Sequence, residues 1–225
     1  MKENSRIYLE IFLISLLIFL PKWICSYYFF PSEELLIKTL LDIKDVHYFL
    51  NVISFSNFDL TPSFNEFIEA KKIITFPFFS IIIHSFFYKI IGYSSFILLE
   101  LLFIFFSILI FFKILQKLEL NKAYSLLVVA IYFSLPFILN TLNIINLSQV
   151  SILQNLVSDF IGSRFPRPLV TNIFFLLGIY FLIKLQKELI EKRTPKSIIS
   201  ISVIMALQIN SFFYFFLIQG VSTII

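Results

Sequence analysis

Residues 95–116 read SFILLELLFIFFSILIFFKILQ, a run whose only charged side chains are Glu100 and Lys113. As a helix it is about 33 Å long. The hydrocarbon core of a bilayer is about 30 Å thick and takes about 20 mostly apolar residues to cross. The segment therefore predicts a transmembrane helix. Comparable runs lie on both sides of it, at 7–29, 73–92, 123–140, 169–186 and 197–219. Composition agrees, with 59% of the 225 residues apolar, only 14% charged, and a mean hydropathy of +0.92. An average soluble domain carries roughly a quarter charged residues. The expected fold is all-α, a polytopic transmembrane helical bundle forming a single domain over 1–225. The expected location is the plasma (inner) membrane, as a multi-pass protein.

A disordered chain, a disulfide scaffold and a free cytosolic enzyme are excluded by that composition. The single cysteine, Cys25, has no internal partner, and no Cys/His cluster has zinc-site spacing. The net charge of +4 comes from basic residues at the ends of apolar runs. That placement sets membrane orientation and argues against nucleic-acid binding. Phe, Ile, Lys, Asn and Tyr all have AT-rich codons, so the 31 Phe carry no functional weight by themselves. Lys2 and Arg6 precede an apolar run without a small-x-small cleavage site, which predicts an uncleaved first span. The chain stops at Ile225 directly after an apolar run, as expected for a short form or for part of a longer protein.

Two of the runs are interrupted. Pro21 and Lys22 break the first, so its outer end is expected at the interface. The run 73–92 contains Pro77, His84 and Lys89 and reads as interfacial, re-entrant or a sixth span. Orientation separates these choices. If all six runs cross, the basic turns at Lys113–Lys122 and Lys184–Lys196 face the cytoplasm and Lys2 and Arg6 face outward. If 73–92 does not cross, all ten of these basic residues are cytoplasmic and the loops 31–72 and 141–168 both face outward. Outside the long first loop, the second arrangement leaves only Lys22, Lys89, Arg164 and Arg167 on the disfavoured side, and it is preferred.

The first outward loop is expected to hold amphipathic interfacial helices, the first with its apolar face in lipid or against the bundle. In 31–50, Leu36, Leu40, Ile43 and Leu50 recur at helical spacing, opposite Glu34, Lys38, Asp42 and Asp45. Ser32 is an N-cap candidate, followed by Glu33 and Glu34 at the positive helix end. Thr61-Pro62 makes a break, and Ser63-Phe64-Asn65-Glu66 has capping-box spacing for a second helix ending near Lys72. The polar stretch 54–63 joins the two. Asp45, close to His47 and Tyr48, and Asp42 one turn earlier are the catalytic candidates. A carboxylate at the membrane–water boundary is partly desolvated and becomes a stronger base, or it can hold a divalent cation. The alternative is a simply solvated helix face.

The second outward loop ends in Gly162-Ser163-Arg164-Phe165-Pro166-Arg167-Pro168. Two arginines in a proline-stiffened segment at headgroup level can grip phosphate oxygens bidentately, or anchor the helix end among lipid headgroups. Within the apolar runs, Glu100 is expected to pair with Lys89 or His84 across the Gly92 turn. Gln208, Asn210 and Ser211 are expected to bond between helices.

Asp45-Val46-His47-Tyr48 follows the first span, Phe76-Pro77-Phe78 opens an apolar helix that ends in Lys89-Ile90-Ile91-Gly92, and Leu135-Pro136 lies inside a later span. This order resembles the N-terminal part of the GT-C superfold, integral membrane glycosyltransferases, over about residues 1–140. The family writes its acid as an acidic pair before Tyr and follows it with histidine-proline-proline. Here Val46 replaces the second acid, and one proline remains without the histidine. The resemblance implies transfer of a sugar from a polyprenyl-phosphate-linked donor at the outer face. Asp45 would be the base or acceptor-positioning acid, with Asp42 second to it, and Arg164 and Arg167 would hold the donor phosphate. The expected partners are the bilayer and the lipid-linked donor, with a divalent metal ion left open. The alternative is a non-catalytic membrane component of lipid-linked glycan export or assembly, a flippase or polymerase subunit.

Overall fold

The computed structural model describes residues 2–29, 46–60, 78–144, 169–192, 195–209 and 213–224. Among them every regular element is a helix. In chain order these are α1 (Lys2–Phe29), α2 (Val46–Ser56), α3 (Phe78–Ile91), α4 (Ser94–Lys117), α5 (Lys122–Ile144), α6 (Leu169–Ile190), α7 (Ser197–Ile209) and α8 (Phe213–Ile224). Among the described residues one helix, α4, is long and apolar enough to cross a membrane. It is also the hub of the fold, packing against α1, α3, α5 and α6.

The order of contacts along α4 gives the direction of its neighbours. Ile7 and Tyr8 of α1 line a cleft with Leu109, Phe112 and Lys113, Phe12 meets Phe105 edge-on at 6.3 Å, and Trp23 reaches back to Glu100. α1 therefore runs antiparallel to α4. α5 does the same, with Phe111 4.7 Å from Tyr132 and Gln116 donating to the Ser125 hydroxyl at 2.7 Å. α6 is parallel to α4, because their C-terminal ends meet: Lys187 Nζ donates to Lys117 O at 2.8 Å and lies 3.7 Å from Glu119. One end of the molecule thus gathers the start of α1, the ends of α4 and α6 and the starts of α5 and α7. It carries Arg6, Lys113, Lys117, Lys122, Lys184, Lys187, Lys192 and Lys196 and is called the lysine end below.

Local chemistry closes the turns there. Asn121 Oδ1 accepts from the backbone of Ala123 (2.8 Å) and Tyr124 (3.2 Å), an N-cap for α5. Glu188 accepts from both the backbone N–H and the hydroxyl of Ser197, at 3.0 and 2.9 Å, and so caps α7 from the preceding helix. Those donors hold the Glu188 carboxyl below its ordinary range, the Ser197 backbone N–H contributing most, against the opposing effect of partial burial. At the far end Gly92, at φ +60°, ends α3, and its N–H donates to Tyr88 O at 2.8 Å.

The structure sharpens several expectations and corrects others. Pro21 lies inside α1, so it interrupts the apolar run without ending the helix. Beyond it Trp23 is buried and bonded to Glu100, which fixes the turn that proline weakens. The segment 46–50 is helical and its apolar face packs on the bundle, one of the two expected arrangements: Tyr48, Phe49 and Val52 of α2 sit in the core, Phe49 4.7 Å from Phe96 of α4. The polar stretch from Ser54 does not break this helix. Ser56 Oγ donates back to Ile53 O at 2.6 Å, so its hydroxyl is satisfied without leaving helical geometry. The apolar run 197–219 comes as two helices rather than one. Gln208 and Gln219 would stand about 16 Å apart along one helix, yet Gln208 Nε2 donates to Gln219 Oε1 at 2.6 Å. The chain folds back, and both helices pack on α6. The helix expected from Ser63 and the one over 31–45 lie outside the described residues.

The core is hydrophobic, yet many large aliphatic side chains are exposed while small hydroxyl residues are buried. On α1 the buried stripe is Ile11, Ser15, Phe19 and Trp23, while Leu9, Leu13, Leu17, Leu20 and Ile24 point outward, Leu17 at 72% exposure. Ser15, Ser80, Ser85, Ser95, Ser107 and Ser125 are all buried, whereas Leu127, Ile131, Ile199, Val203 and Val221 are exposed. Small hydroxyl residues between helices and large aliphatic ones outside is the pattern of helices packed in lipid.

Candidate functional site

A buried polar layer lies near the far end of the bundle, built by four helices. α1 contributes Trp23, whose Nε1 donates to Glu100 Oε2 of α4 at 3.2 Å. α2 contributes Tyr48, whose hydroxyl donates to Ser80 O of α3 at 3.0 Å and lies 3.3 Å from His84 Nδ1. A hydroxyl has one proton to give. With that proton on Ser80 O, the Tyr48 oxygen accepts from His84 Nδ1–H, which fixes the tautomer and leaves Nε2 as the acceptor nitrogen. His84 is fully buried, its ring 4.3 Å from Phe96 of α4. Ser85 Oγ donates to Val52 O at 2.9 Å and adds a second tie between α2 and α3.

A second polar group holds the C-terminal hairpin. Gln208 Nε2 also donates to Phe174 O (3.0 Å), and Gln219 Nε2 donates to Phe175 O (2.7 Å) of α6. Gly178 makes room for the Gln219 amide, whose atoms occupy the place a Cβ would take. Gln208 is thus an interhelical partner, as its sequence context suggests.

The expected pairing of Glu100 with Lys89 or His84 is replaced by other partners. Glu100 holds Trp23, His84 holds Tyr48, and Lys89 stands 4.1 Å over the ring of Phe58. Local sequence could not have joined Trp23 to Glu100, 77 positions away. The available signals were the single tryptophan just after Pro21-Lys22 and the tyrosine in Asp45-Val46-His47-Tyr48.

The candidate site residues Asp45, Asp42, Arg164 and Arg167 lie outside the described residues. The residues that follow them are described and are linked. Tyr48 bonds to Ser80, and the neighbouring Phe79 packs edge-on against Phe174 of α6 at 5.8 Å. His47 lies on α2. Among the described residues no three His, Cys, Asp or Glu side chains gather as a metal site. In comparison with known proteins, no family model, no curated protein and no solved structure matches the chain.

Proposed function

We propose that the chain is a multi-pass inner-membrane protein acting as a GT-C-like glycosyltransferase, or as part of one, at the outer face. The observation that carries the orientation is the antiparallel packing of α1 on α4. If both cross, the segment between them begins and ends on the same side, so α3 makes no net crossing. Its fourteen residues span only about 21 Å. The lysine end is then cytoplasmic. α1 and α5 end, and α6 begins, at the opposite, outward side, where the Asp45 and Arg164 loops attach. The buried serines and exposed leucines support the membrane setting.

In this reading Asp45 takes the proton of an acceptor hydroxyl as that oxygen attacks the anomeric carbon. The bond from that carbon to the donor phosphate oxygen breaks. Arg164 and Arg167 neutralise the charge left on the polyprenyl phosphate. The Tyr48–His84–Ser80 layer holds α2, and with it the approach to Asp45, rigidly on α3. Asp45→Asn is expected to abolish transfer from a radiolabelled polyprenyl-phosphate sugar with membrane yield unchanged. Full activity in that variant removes Asp45 from the mechanism. With Cys25 replaced, single cysteines at Asn57 and Ser163 are expected to label from outside in intact cells, and one at Lys192 only after permeabilisation.

The hairpin α7–α8 favours a second reading, a flippase or polymerase subunit. Its first helix has 13 residues, shorter than a crossing, and the chain turns back so that Gln208 meets Gln219; transport proteins build sites from such broken helices. Loss of lipid-linked glycan export in a Gln208→Leu variant, with transfer intact, would favour it.

A further inference from the structure

The groove between α2 and α3 has a chemistry distinct from the polar layer beside it. Phe55, Ser56, Phe58, Ile82, Ser85, Phe86 and Lys89 line a cavity of about 180 Å³. It opens on the outside of the bundle, where Phe58 and Phe86 are 79% and 63% exposed. Both serines in its wall have spent their hydroxyl protons on backbone carbonyls, Ser56 on Ile53 O and Ser85 on Val52 O. What the groove offers is hydrocarbon wall and, at its mouth, one ammonium group. That ammonium rests on the Phe58 ring. Phe58 is held there in a left-handed backbone conformation, φ +61°, in a turn closed by Asn57 N–H to Ser54 O and Phe58 N–H to Phe55 O. Such a conformation is costly for a bulky residue and persists where surrounding structure enforces it. Lys89 also stands at the far end of the bundle, away from the lysine end, on the side that positive-inside ordering disfavours.

We infer that this groove binds one acyl chain of an anionic phospholipid, with Lys89 on its phosphate. An apolar groove with a single cation at its mouth matches the headgroup-near part of a hydrocarbon tail ending in a negative headgroup. The inference rests on the membrane reading above and concerns a site separate from Arg164 and Arg167. The test uses the full chain in nanodiscs of phosphatidylcholine with a minor fraction of spin-labelled phosphatidylglycerol. Lys89→Met keeps the apolar stem and removes the charge. Phe58→Gly removes the ring and relieves the backbone, so it folds at least as well.

A lysine near the headgroups contributes enough to give about a fivefold preference for an anionic lipid. Lys89→Met is expected to lose about that much of the immobilised phosphatidylglycerol signal relative to the parent chain, and Phe58→Gly, which keeps the charge but frees the ammonium from its ring, a smaller but measurable part of it. Unchanged immobilisation in both overturns the inference. So does equal immobilisation of spin-labelled phosphatidylcholine, or displacement by millimolar inorganic phosphate, which would mark a site for the free anion. Extraction of the chain from membranes by alkaline carbonate would instead overturn the membrane reading itself.

Discussion

The two ends of the molecule satisfy their polar groups in different ways. At the lysine end the partners are close in sequence: Asn121 caps α5 two and three residues on, and Gln116 and Glu188 each reach nine residues forward. Lys187, donating to Lys117 O, reaches far. Deeper in the bundle and toward the far end, bonds join residues 77, 36, 34 and 44 positions apart, through Trp23–Glu100, Tyr48–His84, Gln208–Phe174 and Gln219–Phe175. Local caps stabilise helix ends wherever the helices stand. Long-range bonds exist only if the helices stand in one arrangement, so they select the arrangement.

That contrast is most exposed to failure at Trp23. Trp23→Phe keeps the aromatic bulk and removes the indole donor from a buried carboxylate, at an expected cost of about 2 kcal/mol. Combined with Glu100→Leu in a double-mutant cycle, the two changes are expected to be non-additive, because they remove the two ends of one bond. Thermal stability in detergent, followed by size-exclusion recovery, reads both. A negligible loss in Trp23→Phe would leave the two ends energetically alike.

Next in size is Gly178→Ala. Its methyl group must displace the Gln219 amide from between α6 and α8, for about 1–2 kcal/mol. Paired with Gln219→Ala in a double-mutant cycle, the two changes are expected to be strongly non-additive. Additive effects would break the hairpin packing described here.

The smallest effect belongs to the lysine end. The Glu188 carboxyl is held low chiefly by the Ser197 backbone N–H. Its contribution is therefore complete above the ordinary glutamate range and fades as pH falls through its lowered value. Melting profiles of the parent chain and Glu188→Gln are expected to differ at neutral pH and converge in acid. A gap that persists in acid would remove the charge from the account of this cap.

Much of the lysine end is legible in the amino-acid sequence. The basic clusters there, like Gly92 at the far end, mark turns by local conformational and electrostatic rules, and the helices stop close to where hydropathy changes. Expected runs at 95–116, 123–140 and 169–186 correspond to α4, α5 and α6. The polar layer is less legible. His84 and Glu100 stand out as ionisable groups in apolar runs, but the pattern offers Lys89 or each other as partners, since only neighbours in sequence can be compared. In the helix expected over 31–50, apolar spacing shows that one face is buried but leaves both lipid and protein open as what buries it.

The sequence by itself determined that this chain is helical and where its apolar helices lie, because hydropathy, length and turn chemistry are properties of contiguous residues. The tertiary structure decided which way α1 faces along α4, that α2 enters the core, that the last apolar run folds back on itself, and which residues meet Glu100 and His84. The physical reason is that a helix apolar all round, such as α1, carries almost no signal of which face is buried. Only packing against particular neighbours, and the partners its few polar groups find there, can choose one.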